Sequence, residues 1–169
     1  MTATLSFAAE FSFAGMAFLG AGADELRGVA GEIAFLPEEL VAALDADPEE
    51  LRREYVRLFL SPTGAPCAPW QSVHGDEPAL MGPTHASALS WFRAHGFEPC
   101  SPWEPADHAG LLLLFSGRLL QTSHAEFGRF RQEHLEWIKD FCGSVRLQAR
   151  AGFYRELAAW TELLILEVR

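Results

Sequence analysis

The chain has 169 residues, 49% of them apolar, and a formal net charge of −10. That length suits one domain able to bury roughly 70% of its unfolded surface, and the apolar share excludes a disordered chain. The acidity argues against nucleic acid as a partner, because duplex binding needs clustered Lys and Arg to displace counterions.

Ala (25) and Leu (23) dominate, whereas Val, Ile and Thr together number 15. Small and straight-chain residues lose little rotamer freedom in helices and β-branched residues favour strands, so the expected class is all-α. In the first element Phe7, Phe11, Ala14 and Phe18 recur along one face of a helix. The stretch ends in Ala21-Gly22-Ala23, like a secretory cleavage site, but no Lys or Arg precedes it and Glu10 interrupts it. A first core helix is expected instead. No segment reaches the ~18 uncharged apolar residues of a membrane span.

Asp47-Pro48-Glu49-Glu50 starts the next helix, with Asp as N-cap, Pro at the first position and Glu three residues past the cap. Leu51, Tyr55, Leu58 and Phe59 form its apolar stripe, and Arg52-Arg53 sits on the polar face, not in an export signal. Residues 61–78, "SPTGAPCAPWQSVHGDEP", hold four prolines among turn formers and exclude helix and central strand. Loops this long are functional or disordered, and a Trp between Pro69 and Gln71 favours function.

A helix over 84–95 turns Leu89 and Phe92 inward and ends near Gly96. After the break at 99–105 two helix starts compete: a capping box of Ser101 with Glu104, or Glu104 as cap with Pro105 first. The second is preferred, because Pro105 disfavours the α conformation at Glu104. The resulting helix, 105–121, is apolar nearly all round and therefore central. Two amphipathic helices follow. One, over 124–141, carries Phe127, Phe130, His134, Trp137, Ile138 and Phe141. The other, over 145–168, carries Leu147, Ala151, Tyr154, Leu157, Thr161 and Leu164. About seven helices should form one bundle over 1–169, with 1–100 and 101–169 as candidate halves.

Cys67, Cys100 and Cys142 are odd in number and widely spaced, which argues against a disulfide framework and for a reducing cytoplasm. The chemically pointed segment is "EPADHAGLLLLF", with Asp107-His108 against four leucines. A metal-dependent hydrolase would use these two with His85 and Asp140. However, the order is the reverse of the helical HD phosphohydrolases, and helix neighbours point about 100° apart. Ser72 near His74 and Ser123 near His124 are only sequence neighbours, and no Gly-rich phosphate loop is present. No metal, cofactor or catalytic group is expected. Helix capping accounts for the acids, since a carboxylate in a first turn gains ~0.3–1 kcal/mol from the helix dipole. His108 gains nothing there as a cation and should be neutral or held by an acceptor. A scaffold without a peptide groove is the other alternative.

"YVRLFLSPTGAPCAPWQSVH", residues 55–74, and "EPADHAGLLLLF" together resemble the two signature motifs of the TorD/DmsD family. "EHLEWIKDF" and "AGFYRELA" extend the likeness over about 48–160. Ser61 stands where the family turn usually has Gly, and His74 where an aromatic, usually Tyr, is common. The resemblance implies an all-helical, non-enzymatic cytoplasmic chaperone, monomeric or a domain-swapped dimer. Its implied partners are the twin-arginine signal peptide and the apoprotein of a molybdopterin-dependent oxidoreductase, held back from export until the cofactor is inserted. A leader with paired Arg beside an apolar stretch needs an apolar groove bordered by acceptors. The residues expected to form it are Tyr55, Leu58, Phe59, Pro69, Trp70, Ser72, Trp103, Glu104, Pro105, Asp107 and His108.

Overall fold

A computed structural model describes residues 2–61 and 63–168, with side chains from residue 7 onward. Pro62, part of the turn in the first motif, lies outside the described residues. The described residues contain nine α-helices and no regular strand. They are α1 (Thr2–Phe18), α2 (Ala23–Ala30), α3 (Glu38–Leu44), α4 (Pro48–Tyr55), α5 (Pro83–Ala94), α6 (Ala109–Thr122), α7 (His124–His134), α8 (Glu136–Gln148) and α9 (Gly152–Glu167). A π-helical turn, Val56–Leu60, continues α4, and a 3₁₀ turn, Gln71–Val73, lies inside the Pro-rich loop. The all-α class holds; the count exceeds seven because short helices fill 23–44 and the segment 124–148 divides.

The α1–α6 pair forms the centre. Phe11, Phe13, Ala14, Ala17 and Phe18 of α1 are buried, as are ten residues of α6 from Ala109 to Leu120. Glycines bring the two backbones together. A Cβ on Gly15 would lie 2.7 Å from the Gly110 carbonyl oxygen, and one on Gly110 equally close to that of Gly15. Gly117 meets Ala8 in the same way. Around this pair Phe115 packs on Trp91, Phe92, Phe97 and Phe130, with ring centroids 4.8 to 6.5 Å apart. Across the core, Phe18, Tyr55, Phe59, Phe141 and Tyr154 form a second aromatic group.

Local signals place α4 as expected: Pro48 opens it and the Asp47 carboxylate accepts the Glu49 N–H at 3.0 Å. Three expectations need correction. The helix expected from Pro105 starts at Ala109, with His108 as its cap and not Glu104. The single helix over 124–141 breaks at Leu135, where the His134 carbonyl accepts the Trp137 indole N–H at 2.8 Å. The helix expected to begin at 145 begins at Gly152; α8 runs on to Gln148 and leaves Leu147 87% exposed instead of inward.

Candidate functional site

The two motif segments meet although they lie more than 30 residues apart. Trp70 and His108 form an antiparallel bridge: the Ala109 N–H donates to the Pro69 carbonyl at 2.7 Å, and the Gln71 N–H to the Asp107 carbonyl at 3.1 Å. Side chains reinforce it. Asp107 Oδ2 accepts the Ser72 N–H and the Thr84 hydroxyl, each at 2.8 Å, and so ties the loop, α5 and the approach to α6 together. His85 Nδ1 accepts the Ala106 N–H at 2.8 Å. Asp107 is therefore not in a first helical turn; it caps the 3₁₀ turn of another segment.

His108 caps α6, its Nδ1 accepting the Gly110 N–H at 3.0 Å. An accepting Nδ1 requires the neutral ring in its Nε2–H tautomer. Burial agrees, pushing the His108 pKa down to about 4 against the opposing pull of Asp107. Asp107 Oδ1 and Ser72 Oγ are buried without a hydrogen-bond partner. Among the described residues no group of three or more His, Cys, Asp or Glu side chains could hold a metal ion. Asp140, which a hydrolase would need, is exposed on α8.

The expected site residues fall into two layers. Leu58, Phe59, Pro69, Ser72, Pro105, Asp107 and His108 are buried. Tyr55, Trp70 and Glu104 are half-buried and Trp103 is 78% exposed. The outer residues are linked: the Trp70 indole donates to Glu104 Oε2 at 3.3 Å, and the Glu104 charge helps burial push the Tyr55 phenol up to about 12. Trp70 also meets the His108 ring edge-on, with centroids 6.0 Å apart.

Sequence reading missed a supporting network. Gln71 donates to the Glu133 carbonyl and hydrogen-bonds His134 through its amide oxygen, both at 2.9 Å. Glu133 in turn accepts the Trp91 indole N–H at 3.1 Å and the Ser87 hydroxyl. Glu54, buried on α4, accepts two bonds from Arg57 and the Arg150 and Ala151 N–H groups. Burial opposes its ionisation, but these donors outweigh it and hold the carboxyl below its usual range. No local spacing marks such residues, since their partners lie on distant elements.

A cleft of about 680 Å³ adjoins Tyr55, between the α1–α2 connection and α4. No helix among the described residues is long and apolar enough to cross a membrane.

Comparison with known proteins places this arrangement. The family model described as nitrate reductase delta subunit matches residues 24–146. A Haemophilus influenzae protein described as "Probable Tat proofreading chaperone DmsD" is 28% identical over 116 residues, 67% of this chain. The chain spans 57% of that relative's length. A crystal structure of a protein assigned to redox enzyme maturation in Archaeoglobus fulgidus superposes with a TM-score of 0.71 at 19% identity, covering 94% of each chain. That likeness is one of fold.

Proposed function

Because the chain belongs to the nitrate reductase delta subunit family, which takes in the TorD/DmsD redox-enzyme maturation chaperones, we propose that it binds a twin-arginine leader peptide. In this reading it is a non-enzymatic, cytoplasmic chaperone. It holds the apo form of a molybdopterin-dependent oxidoreductase until the cofactor is inserted.

The observation that carries the reading is the Trp70–Glu104 hydrogen bond beside exposed Trp103. It joins a half-buried indole to a half-buried carboxylate next in sequence to exposed Trp103, in a loop tied down by the buried Asp107 carboxylate. An arginine guanidinium can stack on an indole face while its N–H groups reach a carboxylate. The 3.3 Å indole bond is long, so Glu104 exchanges it at little cost for a charge-assisted one. The net charge of −10 steers a basic peptide towards the surface. Phe59 packs on the Tyr55 ring and Leu58 is buried in the core, so neither itself faces the peptide.

Titration calorimetry on four combinations tests this: wild type and Glu104→Gln, each with a leader carrying Arg-Arg or Gln-Gln. Each change alone is expected to weaken binding by ~1.5–3 kcal/mol, and both together by little more than one. Fully additive losses would mean that Glu104 and the arginines do not touch.

A further inference from the structure

Large apolar side chains left in water need an explanation when they share a concavity. The π-helical turn after α4 leaves Val56 and Leu60 42% and 46% exposed, and both line the cleft of about 680 Å³. Leu51 and Tyr154 give it an apolar floor. Glu25 and Glu49 stand round it with Arg52, while Asp24 is taken up by an ion pair with Arg27 at 2.7 Å. Its volume lies in the range of peptide- and ligand-sized sites, ~300–1,000 Å³, with room for a few apolar side chains. Interrupted α-helical turns of the π type gather at functional positions.

Tyr55 joins the cleft to the first motif segment. Its ring packs so closely on Gly20, at φ +84°, that a Cβ there would lie 2.6 Å away, while its hydroxyl feels the Glu104 charge. The same ring packs on Phe59, with centroids 5.3 Å apart, so the wall of the cleft is continuous with the first motif segment.

We infer that this cleft, walled by the α1–α2 connection and α4, seats the apolar stretch that follows the paired arginines of the leader. The inference rests on the peptide-binding reading and adds a second subsite to it. The exposed Val56 and Leu60 and the apolar floor complement such a stretch, and Glu25 and Glu49 at the rim favour the basic peptide that carries it.

Gly22 supplies the test. It lines the cleft at φ −70°, and a Cβ there meets nothing within 4 Å. Gly22→Trp therefore fills the cleft without straining the backbone. Fluorescence anisotropy would follow two labelled synthetic peptides: Arg-Arg with a run of leucines and alanines, and the same peptide with its leucines changed to serine. Wild type is expected to bind the leucine peptide about tenfold more tightly than the serine peptide. Gly22→Trp should remove that advantage and leave the serine peptide's affinity unchanged, while Gly22→Ala should change neither. Leu60→Glu is expected to repeat the Gly22→Trp result and serves if that variant fails to fold. Equal wild-type binding of both peptides overturns the cleft and spares the arginine reading, as does an unchanged leucine advantage in the filled variants. If wild type binds neither peptide, the peptide reading itself fails and the inference with it. Self-association abolished by Gly22→Trp, with leucine-peptide binding untouched, would assign the cleft to a second copy and overturn the inference.

Discussion

Asp107 holds Ser72 across 35 residues of sequence, its carboxylate accepting the Ser72 N–H at 2.8 Å in the interior of the molecule. The same oxygen accepts the Thr84 hydroxyl. Removing the carboxylate orphans two donors, and each buried orphan costs about 1–3 kcal/mol. Asp107→Ala is therefore expected to lower the midpoint of urea unfolding clearly. Asp107→Asn keeps an acceptor oxygen in place and is expected to cost about 1 kcal/mol. Equal losses for the two variants would show that the bridge to Ser72 contributes nothing.

His108 predicts acid lability. Its folded pKa, about 4, lies below the ~6.5 of an exposed histidine, so the unfolded chain binds the proton more readily. Stability is then complete above about pH 6.5 and falls as the pH drops towards 4. The shift corresponds to about 3 kcal/mol at most. Burial lowers the His134 pKa as well, against the pull of Glu133, and adds loss in the same direction. Asparagine caps helices well, so His108→Asn should keep the start of α6 and flatten the pH slope. A melting temperature in the variant that falls as steeply as in wild type would refute the assignment to His108.

Trp70 is half-buried and bonded to half-buried Glu104. Trp70→Ala is expected to destabilise by less than the ~3–5 kcal/mol of a fully buried Trp truncation, while weakening leader binding. Thermal melts and anisotropy on the same preparation separate the two effects. A loss of stability in the full range, with binding per folded molecule unchanged, would make Trp70 a core plug.

Gly110 and Gly15 face each other across the central helix pair, each Cβ position 2.7 Å from the other's carbonyl oxygen. Backbone cannot yield as a flexible side chain can. Gly110→Ala should therefore cost roughly 1–3 kcal/mol by forcing α1 and α6 apart. Gly128, where a Cβ meets nothing within 4 Å, is the control: Gly128→Ala should be neutral or slightly stabilising. Chemical denaturation of the two variants decides.

These residues also show what could be read in advance. Asp47-Pro48 announced α4 because an N-cap and its Pro act over a single turn. The apolar circumference of α6 announced its central place, since only a helix covered on all sides can lack a polar face. The start of α6 was illegible because two remote groups, the Pro69 carbonyl and His85, take the N–H groups of Ala109 and Ala106. The break at Leu135 likewise depends on where one indole finds an acceptor. For the site, the motifs named the right segments but not their depth. Alternation of buried and accessible residues along an irregular loop follows no period, so nothing separated Asp107 from Glu104 beforehand.

The glycine contact between α1 and α6 also bears on the order of assembly. Ala8 touches Gly117, a separation of more than a hundred residues, so the innermost helix pair has no local route to its own closure. Contacts of such long range slow folding, because the loop between them must be ordered before they form. During synthesis the greasy face of α1, with Phe11, Phe13 and Phe18, has to wait uncovered until α6 has left the ribosome. A protein with the fold of a chaperone thus passes, early in its own synthesis, through an interval in which its first helix would itself need shelter.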